Sequence, residues 1–185
     1  MTLLQEANNS AAALVNLLAR NFACFDDTHY FEGELVRFHK RAQILVADLW
    51  ACFEGDGYGH FSDIDQVTMF AGKTKMLLTV RSYLTAADYR IPQILHSLGS
   101  LSYSPLLESH IRKLRPIESG HSWELQLRGC TIWCVEQIRR EIVRCHPDTH
   151  INAILIDFFL YDTLKQMGDG AGDMIPYHRT RSIWY

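Results

Sequence analysis

The sequence contains no apolar run long enough to span a membrane. Its longest apolar stretch, residues 151–161, is interrupted by Asp157, whereas a transmembrane helix needs about 20 consecutive apolar residues. The opening segment MTLLQEANNS also lacks the basic start and the cleavage site of a secretory signal. We therefore expect a protein without a membrane segment that resides in the cytoplasm, or in both cytoplasm and nucleus.

An excess of basic charge is missing as well. The 18 Lys and Arg residues are outnumbered by 21 Asp and Glu residues, which gives a formal net charge of −3. Proteins that bind DNA or RNA polymers broadly usually carry the opposite balance, because contacts to phosphates need cations. We therefore expect no direct binding to a nucleic acid polymer, although local arginines could hold a small anionic ligand.

Cysteine is too sparse and irregular for a disulfide framework. The five cysteines are odd in number and unevenly spaced, which favours reduced thiols in the cytosol or nucleus. Cys130 and Cys134 share one face of a predicted helix and His146 follows Cys145, but this set lacks the spacing of a zinc site. The sequence predicts no metal site.

Glycine and proline are few and scattered, with 11 and 5 residues, so the composition is not that of a disordered chain. Hydrophobic residues make up 48% of the 185 positions, which is enough to bury a substantial core. A chain of this length predicts a single domain over residues 1–185.

Apolar residues recur with a period of 3.6 in most segments, the pattern of helices packed on a core. Thr2 and Gln5 are placed for a capping box, and Thr149 is placed to cap the last helix. The long helices predicted from this period cover Thr2–Ala19, Phe38–Phe53, Cys130–Cys145 and His150–Met167.

Local signals add shorter helices. Pro92 marks one start and Gly99 its end, while Ser104 and Pro105 open another helix. Asp63 is placed to cap a helix that runs through Phe70. Residues 21–33 indicate an irregular connection and strand signals are few. The predicted fold class is all-α, or nearly so.

Asp157 fits a plain hydrophobic core least well. It lies inside ILIDFFLYD with apolar side chains at every helical angle, so we expect its carboxylate to be buried. Burial is costly unless the carboxylate is paired or its pKa rises. Asp157 is therefore either a functional residue or a structural aspartate that pairs with an arginine or caps a loop. Asp162 falls elsewhere on the helix, where it could be an ordinary solvated residue.

Other polar residues also have a structural interpretation. Asp88 precedes the helix at Pro92 and suits an N-cap. Lys40 opens an apolar helix and suits a surface lysine. Glu136 could form an ion pair with Arg140, one helical turn later.

The closing segment HRTRSIWY joins basic and aromatic residues. An Ile-Trp-Tyr ending is not typical of a disordered tail, so we expect this end to pack against the fold. His178, Arg179 and Arg181 would then be held rigidly, either to contact a phosphate or to pair with acidic side chains. These features permit a nucleotide site without singling it out.

A family resemblance is carried by several blocks taken in order: KRAQILVADLW (40–50), TMF (68–70) with ADYRIPQ (87–93), LRGCTIWCVE (127–136), INAILIDFFLYD (151–162) and HRTRSIWY. Together they resemble the queuosine salvage protein family, the queuosine 5′-phosphate N-glycosylase/hydrolases. The match is specific because the blocks extend over nearly the whole chain, whereas no single block would suffice.

The resemblance implies an α-helical fold related to the helix-hairpin-helix DNA glycosylases. It implies hydrolysis of the N-glycosidic bond of queuosine 5′-monophosphate, which releases the base queuine for salvage into tRNA modification. It implies no metal and no organic cofactor. The expected partner is this small-molecule nucleotide, and we expect a monomer.

The family motifs place Asp88, Lys40 and Asp157 in the active site. N-glycoside hydrolysis passes through an oxocarbenium-like sugar, which a nearby carboxylate can stabilise or capture, or for which it can activate water. We assign Asp157 to the edge of the base and Asp88 to the sugar or the water. Lys40 is assigned to charge support for one of these carboxylates or for the ligand.

Substrate-binding residues are expected in the same blocks. Aromatic side chains could stack on the base, and basic side chains of the tail could meet the phosphate. The predicted binding residues are Tyr89, Arg90, Trp133, Glu136, Phe158, Asp162, His178, Arg179 and Arg181.

Two departures from the family pattern stand out. Family members carry a helical segment before the point where this chain begins, so we expect a C-terminal portion of the family domain without its N-terminal helices. The family also runs from TMF to ADYR without interruption, whereas residues 72–87 intervene here. We interpret 72–87 as an insertion, with a retained intron as one hypothesis for its origin. It could displace Asp88, which follows it directly.

Two alternatives remain open. The chain could be a DNA-glycosylase-like protein that excises bases, although a Gly-rich hairpin and a basic face are not evident. It could also be a non-catalytic helical module or an inactive, truncated isoform of the family enzyme.

Overall fold

The structure, a computed structural model, describes residues 2–66, 89–167 and 174–184. In these ranges the chain forms seven α-helices and one antiparallel pair of strands. The prediction of a mostly helical protein is therefore confirmed. None of these helices is both long and apolar enough to cross a membrane.

The described residues divide into two compact units, with 2–66 in the first and 89–167 and 174–183 in the second. Each unit has its own buried core. The prediction of a single domain over 1–185 stays a prediction, and the predicted insertion at 72–87 lies outside the described residues.

The first unit combines helices with a small hairpin, and α2 packs against both α1 and α3. Its core consists mainly of Ala, Leu and Val side chains from these helices. The elements are α1 (Leu3–Ala7), α2 (Ala11–Asn21), β1 (Thr28–Phe31), β2 (Glu34–Arg37) and α3 (Lys40–Cys52), with 3₁₀ turns at Ala23–Phe25, Gly57–Gly59 and Ile64–Gln66.

The predicted helix over Thr2–Ala19 is wrong in one respect, because it is broken between α1 and α2. Asn8 and Asn9 adopt positive φ angles of 48° and 60°, which ends α1. Ser10 then caps α2, and the carboxylate of Asp63 accepts hydrogen bonds from the Ser10 hydroxyl and from the backbone N–H of Ala11 at 2.8 and 2.6 Å. A contact from far along the chain thus starts the second helix.

The capping predictions in this unit have mixed outcomes. The capping box of Thr2 and Gln5 is confirmed. Asp63 accepts backbone N–H groups at the start of α2, which precedes it in the chain, and the 3₁₀ turn Ile64–Gln66 is all of the predicted helix after Asp63 that the described residues contain. The remainder of that predicted helix, through Phe70, lies outside the described residues.

A β-hairpin replaces part of the irregular connection that we predicted over 21–33. Strand β1 pairs with β2 in an antiparallel register that joins Thr28 to Arg37. The two residues between the strands, Glu32 and Gly33, have φ angles of 51° and 85°. Positive φ at both positions is the geometry of a tight type I′ hairpin turn, for which glycine is well suited.

The second unit contains α4 (Arg90–Ser97), α5 (Pro105–Arg112), α6 (Ser122–Cys145) and α7 (Ala153–Met167). Helix α4 packs against α6 and α7, and α6 packs against α7. A further cluster joins α5 and α6 to the tail, and its buried residues are Leu107, Ile111, Ile117, Leu127 and Ile175.

The ends of α4 and α5 agree with the sequence signals. Pro92 lies in the first turn of α4, and Gly99 follows its end with a φ angle of 72°. The Ser104 hydroxyl accepts a hydrogen bond from the N–H of Leu107, with Pro105 as the first helical residue. The predicted start at Ser104 and Pro105 is thus confirmed, whereas α4 begins at Arg90, two residues before Pro92.

Helix α6 is longer than the predicted Cys130–Cys145, because it begins at Ser122. Its first turns bury the ion pair of Glu124 and Arg128, so charged residues occupy positions where the helical pattern needs apolar ones. Helix α7 is capped by Asn152, whose side chain accepts the N–H of Leu155 at 3.0 Å. The predicted cap, Thr149, precedes this position.

The prediction that the tail packs against the fold is confirmed in its first part, where His178 is buried, but not at Ile183, which is 61% exposed. Ile175 is buried, and its carbonyl accepts a hydrogen bond from the side chain of Gln93 at 2.9 Å. The carbonyl of Arg179 accepts the N–H of Ile117 at 2.7 Å. Two backbone anchors therefore fix the tail within the second unit.

Candidate active-site residues

Lys40 is the first residue of α3, and its side chain is buried. The residue is 8% exposed, which contradicts the interpretation as a surface lysine. Lysine is rarely buried without a specific role, because its ammonium group is strongly hydrated. The structure thus buries this residue of the family motif.

The carboxylate of Asp27 lies against the start of α3. It is fully buried, and its Oδ2 accepts the backbone N–H of Lys40 at 3.3 Å. Its Oδ1 lies 3.2 Å from Nε2 of His29, whose side chain is also largely buried. An anion at the first turn of a helix is stabilised by the unpaired N–H groups there. Asp27 therefore joins the hairpin to α3.

His39 connects β2 to α3 in a strained conformation. Its φ and ψ angles of 47° and 37° lie in the left-handed region, which is uncommon for residues other than glycine. Burial lowers the pKa of His39, while Asp26 and Asp27 oppose this shift and Arg37 adds to it. The imidazole is thus favoured in its neutral form.

Tyr89 and Arg90 begin α4 and form an aromatic and cationic group with Tyr177 of the tail. The rings of Tyr89 and Tyr177 are 4.7 Å apart at an angle of 36°. The guanidinium of Arg90 lies 4.9 Å from the Tyr177 ring centroid, within cation–π range. The structure brings these predicted residues together and adds Tyr177.

Trp133 and Glu136 lie on α6 beside arginines of the same helix. Glu136 is fully buried and accepts hydrogen bonds from Arg139 at 2.8 and 3.0 Å and from Arg140 at 2.6 Å. The predicted Glu136–Arg140 ion pair is thus confirmed. Arg140 also lies 5.3 Å from the ring centroid of Trp133, which is 37% exposed.

Asp157 on α7 is half-buried, which is less burial than its apolar neighbours in the sequence predict. The helix leaves much of its apolar surface accessible, including Phe158 at 41% and Phe159 at 70% exposure. Apolar neighbours in the sequence therefore do not surround Asp157 in space. Asp162 is exposed, and its carboxylate is 4.0 Å from the ammonium of Lys165, as for an ordinary solvated residue.

The basic residues of the tail differ in exposure. His178 is buried, whereas Arg179 and Arg181 are exposed. The backbone of Arg179 is fixed by its pairing with the segment at Pro116 and Ile117. Arg179 and Arg181 are thus two exposed arginines in a tail whose backbone is held at Arg179.

Asp88, the remaining predicted catalytic residue, lies outside the described residues. In the parts of the chain that the structure describes, no group of three or more His, Cys, Asp or Glu side chains could hold a metal ion. The five cysteines are all free thiols. Burial raises the pKa of the Cys130 and Cys134 thiols, so they remain protonated at neutral pH.

Sequence reasoning missed Asp27 and Tyr177. Asp27 lies 13 residues before the lysine that it contacts, so no helical or strand periodicity connects them. The glycine at position 33, between two short runs that contain β-branched or aromatic residues, is the local signal for the hairpin that brings them together. For Tyr177, the aromatic character of the tail was visible, but its partner on α4 was not.

The described part of the chain is thus mostly helical, with a buried motif lysine and a half-buried motif aspartate. A family model described as queuosine salvage protein matches residues 1–185. The chain belongs to the queuosine salvage protein family.

Curated relatives support this membership. Proteins from Mus musculus, Schizosaccharomyces pombe and Sphaerobacter thermophilus are 39%, 41% and 38% identical to this chain, over 98%, 99% and 97% of it. Each is named queuosine 5′-phosphate N-glycosylase/hydrolase. The alignments cover 50%, 49% and 49% of these relatives, so the chain spans about half of their length.

Proposed function

We propose that this chain hydrolyses the N-glycosidic bond of queuosine 5′-phosphate and releases the base queuine for salvage. One observation carries the proposal, namely that the family model matches the whole chain, residues 1–185. The names of relatives at about 40% identity support the same activity. The chain spans about half of the length of these relatives, so their activity is proposed for it by analogy.

The proposed reaction requires a group that meets the positive charge developing on the sugar. A carboxylate can stabilise the oxocarbenium-like sugar, capture it, or activate the water that attacks it. We assign this role to Asp88 on the family motif ADYR. Asp157 is assigned to the edge of the departing base, and its half-buried position on α7 supports access to a ligand.

The leaving base imposes a second requirement. Queuine is a 7-deazaguanine, so carbon replaces the ring nitrogen at which purine glycosylases often protonate the leaving group. The site must therefore stabilise the base at another atom or through hydrogen bonds to its amide edge. Two separate acidic residues, one for the base and one for the sugar, meet both requirements.

Lys40 is proposed to supply positive charge to a carboxylate or to the ligand. Its low exposure supports this role, since a solvated lysine would contribute little electrostatic energy at high dielectric. A buried ammonium acts in a region of lower dielectric, where its field on a nearby group is stronger.

Binding is proposed to combine stacking with contacts to the phosphate. Tyr89, Trp133 and Phe158 are aromatic candidates for the base. Arg179 and Arg181 are accessible candidates for the phosphate, which a planar guanidinium can bind through two hydrogen bonds. The further proposed contacts are Arg90, Glu136, Asp162 and His178, of which Glu136 would have to share its carboxylate with two arginines.

The remaining features are proposed on the family resemblance. We propose that the fold is related to the helix-hairpin-helix DNA glycosylases, which the mostly helical architecture supports. The chain is proposed to act as a monomer, in the cytoplasm or also in the nucleus, without a cofactor and without binding polymeric nucleic acid.

The test is to incubate the purified 185-residue chain with queuosine 5′-monophosphate and to measure free queuine by mass spectrometry. We expect release from this nucleotide, and none from guanosine 5′-monophosphate. Asp88→Asn, Asp157→Asn and Lys40→Met should each lower kcat by about 100-fold or more. Asp148→Asn and Lys113→Met, at exposed positions, serve as matched controls and should retain activity.

The outcomes separate the proposal from its alternatives. No queuine from this chain, beside an active full-length relative, would favour an inactive form of the family enzyme. Excision of a base from DNA would favour the DNA-glycosylase-like alternative. Full activity of a substituted residue would remove that residue from the mechanism.

A further inference from the structure

Asp27 is a buried carboxylate to which the proposed reaction gives no role. Its side chain is 0% exposed, although an unpaired carboxylate in such a place would be strongly unfavourable. Its Oδ2 accepts the backbone N–H of Lys40, and its Oδ1 lies beside His29. The carboxylate is thus committed to the start of the helix that carries Lys40.

The backbone of Asp27 contacts the same segment. Its carbonyl accepts hydrogen bonds from the N–H groups of Phe38 at 2.9 Å and of His39 at 3.4 Å. Asp27 precedes β1 and Phe38 follows β2, so these bonds close the open end of the hairpin directly before α3. The main chain of Asp27 therefore holds Phe38 and His39, and its side chain holds Lys40, the first residue of α3.

The junction needs such restraint because its conformation is not intrinsically favoured. His39 occupies the left-handed region, where a non-glycine residue persists only when its surroundings hold it. Gln43 adds a further restraint, since its side chain donates to the carbonyl of Phe38 at 2.6 Å. With Asp27 removed, the chain before Lys40 would retain fewer fixed points.

We propose that Asp27 is a positioning residue, which holds the start of α3 so that the Lys40 side chain is presented in one buried geometry. This inference rests on the proposed role of Lys40 in queuosine 5′-phosphate hydrolysis. Asp27 acts through Lys40 and not on the substrate. A misplacement of about 1 Å at a reacting group can cost about 100-fold in rate, so the expected effect is large.

A double-mutant cycle tests whether Asp27 acts through Lys40. Asp27→Asn keeps the size of the side chain and an acceptor oxygen but removes the charge. We expect it to lower kcat by about 10-fold or more, with little change in KM. In a Lys40→Met background the same substitution should change kcat by less than about twofold, because its route of action is already absent.

Asp26→Asn is the matched control. Asp26 is the neighbouring residue and also lies near His39, but its side chain is 58% exposed. It should leave kcat unchanged in both backgrounds. If Asp27→Asn instead lowers kcat by the same factor with and without Lys40, Asp27 has a role independent of Lys40 and the inference is wrong.

A second measurement does not depend on activity. The variants are treated briefly with an amine-acylating reagent, and modification of each lysine is quantified by peptide mass spectrometry. Lys40 should be protected in the parent chain, and Asp27→Asn should raise its modification at least about threefold by loosening the junction. The exposed Lys113 should be modified equally in all variants.

This pair of readouts distinguishes the two possible failures. If Lys40→Met retains full activity, the proposed role of Lys40 fails, while the acylation result still decides whether Asp27 positions Lys40. Unchanged protection of Lys40 in Asp27→Asn would overturn the inference. Should Asp27→Asn fold poorly, His29→Leu removes the other partner of the carboxylate and should give a smaller increase in the same direction.

Discussion

Two buried carboxylates, Asp27 in the first unit and Glu136 in the second, are held by different kinds of partner. Asp27 accepts a backbone N–H of α3 and the main chain around it closes a hairpin. Within α6, Glu136 accepts hydrogen bonds from the guanidinium groups of Arg139 and Arg140. Both carboxylates are fully removed from solvent.

The difference indicates what each carboxylate can control. Bonds to the backbone fix the path of the chain, so Asp27 determines where a following side chain lies. Bonds to arginines on the same helix neutralise the charge of Glu136. They do not fix the path of the chain, because the backbone hydrogen bonds of the helix already do so. We therefore expect a change at Asp27 to alter the position of Lys40 as well as stability, and a change at Glu136 to alter stability alone.

The largest loss of stability is expected at a third buried site, the pair of Glu124 and Arg128 on α6. The two side chains are 0% and 1% exposed, and Glu124 also accepts the N–H of Gly120. Arg128→Met removes a guanidinium from a buried carboxylate, so we expect a loss of about 3–5 kcal/mol in the free energy of unfolding. Urea denaturation measures this loss.

A matched pair on α5 provides the control for that prediction. Arg112 and Glu108 have the same spacing, but the arginine side chain is 52% exposed. Arg112→Met should cost less than about 1 kcal/mol. Comparable losses for the two substitutions would show that burial does not distinguish these pairs.

The next effect is expected for Asp27→Asn. The variant loses a charged acceptor at a helix start and its contact with His29, which should reduce the free energy of unfolding by about 2 kcal/mol. Asp26→Asn, on an exposed side chain, should change it by less than about 0.5 kcal/mol. An equal effect of the two substitutions would contradict the distinction between these neighbours, which thermal or urea unfolding can measure.

A smaller loss is expected for Glu136→Gln. Arg139 and Arg140 have side chains that are 19% and 46% exposed, so water can partly solvate them once the carboxylate is gone. We expect a loss of about 1–2 kcal/mol, measured by urea denaturation. The control is Glu141→Gln on the same helix, which should leave the unfolding midpoint unchanged because that ion pair is exposed. A larger loss than for Arg128→Met would reverse the proposed order.

The sequence predicts much of the helical structure, because apolar periodicity is a local property. It does not predict the break before α2, since the carboxylate that caps this helix comes from Asp63, 52 residues after the backbone N–H it binds. The sequence pattern also underestimates the length of α6, because buried charged residues replace apolar ones in its first turns. Pairing compensates for their burial, but a sequence pattern does not reveal the pair.

The candidate site shows the same limit. The family resemblance points to Lys40 and Asp157, but Lys40 is buried where a surface position was expected, and Asp157 is only half-buried. Lys40 is buried although it opens a helix, and Asp157 is half-buried although its neighbours in the sequence are apolar. Burial depends on what packs against a residue from elsewhere in the chain, and local composition carries little of that information.

The smallest expected effect is a change in the pH dependence of stability at His39. Burial lowers the pKa of this histidine below its ordinary value of 6.5, with Asp26 and Asp27 opposing and Arg37 adding to the shift. The unfolded chain therefore binds the proton more readily than the folded chain. The stability that the neutral imidazole contributes is therefore present above pH 6.5, the ordinary pKa, and is lost as the pH falls through the lowered pKa of the folded chain.

We expect His39→Asn, which suits the left-handed backbone, to lose less stability than the parent chain between about pH 7 and pH 5. Urea denaturation at several pH values measures the slope, and His150→Asn at an exposed position should leave it unchanged. An unaltered slope in His39→Asn would mean that the junction before α3 tolerates a charged imidazole, and that Asp26 and Asp27 offset its burial.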